Sequence, residues 1–386
     1  MMTPPRRRSA EEGQHPELGL LLALLSPESP NITQSESVDG QLFAALAQRH
    51  GITPLITSAL ENTELARNLP NGILDSLRQQ SRLVAQKNLL LTAELMQILP
   101  LLENEGIAAV PYKGPVLASL LYGNLGARTT GDLDLLLHPH QVTQAQHVLS
   151  ARGYEATRPM GPREQEAQLQ AEGALELLHP TRHVRLDLHC SLAPHHLCID
   201  LDIDGMLKRV EMIPFAGMSV RCLRAEDLLL ALSIHAAKHG WQRLIWLSDI
   251  AALLRRSQDL NWDVLLQSAQ GAGVERILCV SLLLARDSLR ASLPEHVLEH
   301  CRRDRRLATL EAQVRAGWTE PAGVAESSWQ QRFFLLRLRE GALRQLCCLW
   351  RYAGLRRARA TALNPSRGPI LVPPRAALSN SKQPVF

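Results

Sequence analysis

The chain has 386 residues, 45% of them apolar and only 4% aromatic, with leucine supplying most of the apolar content. That length accommodates two or three domains, and the leucine-rich, aromatic-poor balance favours helices over a β-sandwich. The seven cysteines are scattered and form no C-x-x-C, which excludes a disulfide framework and points to a reducing compartment.

In chain order, residues 1–15 read as a disordered N-terminus. The opening imitates a secretory leader, with a basic stretch before an apolar run. However, Glu11, Glu12 and Glu17 intervene, the run spans only Leu18–Leu25, and no small-residue cleavage site follows. No stretch reaches the ~18 apolar residues a membrane span needs, so a cytoplasmic location is expected. Residues 16–104 form an N-terminal helical region, its last helix running from about Ile73 to Glu103 and broken at Asn104-Glu105-Gly106. Residues 105–220 are the one mixed α/β block. It comprises a buried strand "IAAVPY", a short helix "GPVLASLLYG" with Pro115 suited to its first turn, a strand "DLDLLLH", a helix ended by Gly153, a short "YEAT" strand, a polar loop 158–173, and a hairpin "ALELLHP"/"VRLDLHCSL". Residues 221–350 return to helices. Residues 351–386 read as a basic flexible tail.

Net charge is +4, but residues 341–386 carry eight Arg or Lys and no acid, leaving −4 on residues 1–340. Among Arg351, Arg356, Arg357 and Arg359 the aromatics are only Trp350 and Tyr352, too thin an interleaving for a strong RNA platform. A solvated basic helix end is the plainer reading, and nucleic acid is not an expected partner.

The stretch "GARTTGDLDLLLHP" places two carboxylates in an apolar strand. Alternation puts Asp132, Asp134 and Leu136 on one face and Leu133, Leu135 and Leu137 on the other. The two charges lie about 7 Å apart along the strand, and burial makes each disfavour the other's ionisation. A divalent cation removes that penalty, and Mg²⁺ takes oxygen ligands while leaving room for phosphates. Two solvated edge aspartates would be the plainer alternative. The strand "VRLDLHCSL" repeats the pattern, with Leu186 and Leu188 facing one way and Arg185, Asp187 and His189 the other. Two carboxylates from one strand and one from a neighbour suit two Mg²⁺ ions roughly 3.5–4 Å apart.

The set Lys113-Gly114, a short helix, Arg128-x-x-Gly131-Asp132-x-Asp134 and then Asp187-x-His189 resembles the DNA polymerase β-type nucleotidyltransferase superfamily. It is most similar to the branch known as an uncharacterised nucleotidyltransferase family, and "HAAKHGWQRLIWLSDIAALL" extends the resemblance. The likeness covers about residues 40–290. It implies an α+β fold: a nucleotidyltransferase-like mixed β-sheet core flanked by N- and C-terminal helical regions. It also implies Mg²⁺-dependent transfer of a nucleoside monophosphate from an NTP to an unidentified acceptor. Asp132, Asp134 and Asp187 would be catalytic metal ligands, Asp187 also taking the acceptor's proton. Lys113, Gly114, Arg128 and Gly131 would bind the nucleotide. One departure is that Gly114-Pro115 stands where the superfamily has Gly-Ser, seventeen residues before Asp132. A non-catalytic partner protein that keeps the fold, for instance in a peptide-modifying assembly, is the alternative.

Other constellations compete. Asp200, Asp202, Asp204, Gly205 and Glu211 match an EF-hand loop, but Pro214 bars the exit helix. "HCSLAPHHLC" gathers three histidines and two cysteines at a spacing unlike that of zinc sites. His235, Lys238 and His239 share a helix face without the glutamate of a metalloprotease. They form either an interface or a cationic face turned to the triphosphate. Asp249, flanked by Trp246 and Ile250, is expected to pair with one of those histidines or with Arg243.

Overall fold

The computed structural model describes residues 15–26, 38–61, 72–319, 334–342 and 344–351, together with 63, 66, 69 and 70. The expected disordered start, but for residue 15, and the basic tail beyond Arg351 lie outside the described residues.

Alternation in the two aspartate strands sets the centre of the fold. Five strands form one sheet: β1 (Val110–Pro111), β2 (Leu133–Leu136), β3 (Glu155–Ala156), β4 (Ala174–His179) and β5 (Val184–His189), in the order β1-β2-β5-β4-β3. β2 and β5 run parallel, and the other neighbours are antiparallel. In the parallel pair Leu133 lies opposite Leu186, Asp134 opposite Asp187, and Leu135 opposite Leu188. Leucine therefore meets leucine and aspartate meets aspartate. The leucine face, with Leu175 and Leu177 of β4, is buried beneath Leu91, Leu95, Ile98 and Leu102 of the long helix α4 (Ile73–Asn104) and Val142, Ala145 and Leu149 of α6 (Val142–Ser150). Each buried leucine contributes about 1.5–3 kcal/mol, so this face fixes the register that brings the carboxylates together. β1 is short because Pro111 has no N–H to continue the ladder.

The opposite face turns to helices. α1 (Pro16–Leu25), α2 (Gly40–Arg49) and α3 (Thr53–Glu61) share one apolar core with α9 (Ala225–Lys238), α10 (Leu244–Arg256), α11 (Trp262–Ala272), α12 (Glu275–Leu289), α13 (Glu295–Arg302) and α14 (Leu307–Ala316). Val110, Tyr112 and Leu136 contribute to the same core. The two helical regions read as separate in sequence are thus one packed body. His50 helps to join them. It is fully buried, its Nε2 donates to the Trp318 carbonyl at 3.0 Å, and its Nδ1 accepts from the Leu244 amide at 3.3 Å.

Two local expectations are corrected. The polar stretch 158–173 contains a helix, α7 (Pro162–Glu172), and is not a loop. Pro162 sits in its first turn, the Glu164 carboxylate accepts from the Gly161 amide, and Gly173 ends it at φ +70°. No residue of α7 is buried, so apolar periodicity could not reveal it. The second correction lies after the short helix α8 (Ile203–Lys208), where an unexpected hairpin pairs β6 (Glu211–Phe215) with β7 (Met218–Cys222). Ala216 and Gly217 at φ +48° and +84° make its two-residue turn. Glu211 therefore opens a strand and not an exit helix.

Burial lowers the His50 pKa to about 4, aided by Arg49. The unfolded chain thus takes up the proton first, and the stability present above pH 6.5 is lost as pH falls towards 4. Urea melts of wild type should lose about 3 kcal/mol more than those of His50→Gln between pH 7 and pH 4.

Candidate active site

The parallel register gathers three acidic or basic side chains at one point. Ligand atoms of Asp134, Asp187 and His189 all lie within 4.8 Å of one another. Asp132 precedes β2 by one residue and shares their field, since its charge raises the Asp187 pKa and that of Asp134 raises its own. Burial, then Asp134, Asp132 and Glu176, push the Asp187 carboxyl up to about 7. Burial and Asp134 also raise Asp132, against Lys113, Arg128 and His189. Burial opposes ionisation of Asp134 as well, but Lys113 and His189 outweigh it and hold this carboxyl well below the usual range. The Lys113 ammonium lies 2.5 Å from Asp134 Oδ1, and the His189 Nε2–H donates to the same oxygen at 2.9 Å. Tyr112, edge-on to the His189 ring at 5.5 Å, completes the floor. Its hydroxyl pKa is raised well above 10 by burial and then by the three aspartates.

The donor chemistry fits a hard divalent cation. Oxygen ligands predominate, and an Asp187 near 7 marks a cluster short of positive charge.

A family model described as an uncharacterised nucleotidyltransferase matches residues 36–290. The chain belongs to that family. It is therefore a nucleotidyltransferase, a transferase enzyme. No curated protein and no solved structure matches the chain. Among the described residues no helix is long and apolar enough to cross a membrane.

The other residues of the nucleotidyltransferase motif fall into two groups. Lys113 is the N-cap of α5 (Gly114–Tyr122), and Gly114 adopts φ +67° against the Asp132 backbone. A Cβ there would sit 3.4 Å from the Asp132 carbonyl oxygen in a conformation L residues avoid. Pro115 follows and supplies no N–H. Gly131 is exposed, and a Cβ would meet nothing within 4 Å. Its carbonyl accepts from Lys87 at 3.1 Å.

Arg128 is buried, its Nε donating to Asp249 Oδ2 at 2.9 Å. Tyr122 donates to the other Asp249 oxygen at 2.9 Å. Asp249 thus pairs with Arg128 and Tyr122, not with a histidine or Arg243 as the sequence suggested. The reason is that the loop before β2 crosses α10, while His235 packs edge-on and His239 at a tilt against Trp246. Asn88 secures the same loop by donating to the carbonyls of Leu125 and Arg128 at 2.5 and 2.7 Å.

α9 brings its C-terminal end to the cleft. His235 Nδ1 accepts from Lys113 Nζ at 3.4 Å. Lys238 senses Asp134 and Asp187, and its pKa is lowered by burial and Lys113. Burial and neighbouring cations hold His235 well below 6.5 and lower His239 to about 4. Of the two readings the sequence left open, an interface or a cationic face, the lowered pKa values of both imidazoles favour neutral histidines beside charged lysines. Of "HCSLAPHHLC" only the first residue, His189, enters a metal-type group among the described residues, and it does so with Asp134 and Asp187 rather than with the cysteines and histidines that follow it.

His189, Tyr112 and Asn88 are the residues the sequence did not assign to the site. His189 had a signal, since it lies two residues beyond Asp187 on the same strand face. Tyr112 and Asn88 had none.

Without metal, the raised Asp187 pKa makes stability fall as pH rises from 3.8 through about 7. In EDTA at pH 8, Asp187→Asn should therefore be more stable than wild type, by about 1–3 kcal/mol after allowance for solvent access. Calorimetric Mg²⁺ titration of wild type near pH 6.5 should release protons, detected as a dependence of the heat on buffer ionisation enthalpy, and Asp187→Asn should abolish it.

Proposed function

We propose that this enzyme uses Mg²⁺ to transfer a nucleoside monophosphate from an NTP to a hydroxyl or phosphate acceptor on a small molecule, peptide or protein. The observation that carries the reading is the convergence of Asp134 and Asp187 from adjacent parallel strands, with Asp132 in the same field. The acceptor oxygen attacks the α-phosphorus of the NTP, the bond to the β-phosphate oxygen breaks, and pyrophosphate leaves. Asp187 would take the acceptor's proton. Asp132, Asp134 and Asp187 would hold two Mg²⁺ ions, which supply charge neutralisation for the phosphates and activation of the attacking oxygen. Lys113, Gly114 and Gly131 line the nucleotide side, with Lys238 adding charge from α9. Arg128 serves that side through Asp249 by holding the loop that delivers Asp132. His235 and His239 would bind phosphate as neutral hydrogen-bonding groups.

Pro115 favours a second reading. With no hydroxyl and no N–H at the start of α5, the phosphate grip is weaker than Gly-Ser would give, and the chain would then be a non-catalytic partner that binds nucleotide.

Incubation with each NTP and Mg²⁺ should release pyrophosphate and form nucleotidylated product. Asp132→Asn and Asp134→Asn preserve size but remove charge. Each should lower turnover by at least about 10³-fold, corresponding to ~4 kcal/mol of transition-state stabilisation. Saturating NTP with Mg²⁺ should raise the wild-type melting temperature but not that of either variant. A nucleotide-induced shift without pyrophosphate release would favour the partner reading; no shift in wild type contradicts both.

A further inference from the structure

The Asp134 carboxylate is neutralised without any metal. Lys113 Nζ sits 2.5 Å from Asp134 Oδ1, with the two side chains only 9% and 3% exposed. His189 donates to the same oxygen. Among the described residues Asp132 and Asp187 have no ion-pair partner within 4.0 Å, so the one protein cation bonded to the triad is placed on its most buried member. A divalent ion cannot take Oδ1 while the ammonium holds it, and at the neighbouring Oδ2 it would meet the charge of that ammonium at close range in a buried setting.

From this geometry we infer that Lys113 is a built-in stand-in for the catalytic cation, and that a metal ligated by Asp134 competes with it and drives it off Oδ1. The inference rests on the metal reading given under Proposed function. Lys113 has somewhere to go. The same ammonium lies 3.4 Å from the neutral His235 Nδ1 on α9 and 5.0 Å from the Tyr112 ring centroid, so a small rotation keeps it solvated by protein groups. A polyanionic nucleotide offers it a stronger partner than either. Metal alone therefore binds weakly, since the binding-competent arrangement of Asp134 is a minor one. Metal and NTP together bind cooperatively, since each supplies what the other displaces. The lysine then couples occupancy of the two halves of the site and disfavours a metal-loaded, nucleotide-free enzyme.

The test uses Mn²⁺ as the probe, with affinity read from the free-ion electron paramagnetic resonance signal at pH 8. Wild type, Lys113→Met and Asp134→Asn are compared with and without a non-hydrolysable NTP analogue. Without nucleotide, Lys113→Met should bind Mn²⁺ at least about tenfold more tightly than wild type. The tightening that the analogue produces in wild type should shrink in the variant, and the metal-free variant should melt at a lower temperature. Equal Mn²⁺ affinity in wild type and Lys113→Met overturns the inference, while loss of Mn²⁺ binding in Asp134→Asn leaves the metal reading standing. If none of the three proteins binds Mn²⁺, with or without analogue, the metal reading has failed and the inference falls with it.

Removal of a charge could tighten metal binding through the field alone, and Lys113→Met could fail to fold. A second measurement on ¹⁵N-lysine-labelled wild type covers both cases. The Lys113 ammonium resonance, held by its bond to a buried carboxylate, should shift or vanish on saturation with Mg²⁺ and the analogue. A resonance that stays unchanged while Mg²⁺ and analogue bind overturns the displacement.

Discussion

Two strands that run parallel with aspartate opposite aspartate impose the constraint around which this protein is built. The β2–β5 register is held by leucines on the far face, packed beneath α4 and α6. Because side chains alternate with a period of two, a slip of one residue would send Leu133, Leu135, Leu186 and Leu188 to the cleft and the carboxylates into the core. The hydrophobic energy of one face thus holds like charges together on the other. Their repulsion appears as the raised pKa values of Asp132 and Asp187, and it is relieved in part by Lys113.

Around this strand pair the rest of the chain acts as a set of braces. Asn88 and Lys87 reach from α4 to the loop that delivers Asp132. Arg128 ties that loop to Asp249 on α10, and Tyr122 at the end of α5 closes the same contact. The helical body thereby touches the cleft from two directions, through this buried ion pair and through the C-terminal end of α9. Because α1–α3 share a core with α9–α14, the position of α9 depends on packing that spans most of the chain. A buried ion pair such as Arg128–Asp249 is weak evidence of net stability, but removing one partner is costly. It therefore specifies where the loop lies.

Much of this was legible in the sequence because period-two alternation carries it. The leucine and aspartate faces of both strands, the helix starting at Gly114-Pro115, and the break at Asn104–Gly106 all follow from local pattern. What was not legible depends on contacts between distant segments. Asp249 read as a buried acid in need of a partner, but nothing local says that the partner is 121 residues away in the loop before β2. Whether His235 and His239 form an interface or a cationic face stayed open because their charge is set by burial and the neighbouring lysines, which spacing does not encode. α7 escaped notice because it buries none of its residues. The β6–β7 hairpin was hidden by Pro214, which reads as a breaker although an edge strand tolerates it.

The central claim is that the opposed aspartates form a metal-dependent nucleotide site. The most direct measurement is a crystal structure with Mn²⁺ and a non-hydrolysable NTP analogue, with the metal located by its anomalous signal. The account predicts manganese within about 2.0–2.3 Å of carboxylate oxygens of Asp134 and at least one of Asp132 and Asp187, with the triphosphate towards Lys113 and Lys238. Nucleotide bound elsewhere, or bound in this cleft with no anomalous peak at the three carboxylates, would contradict it.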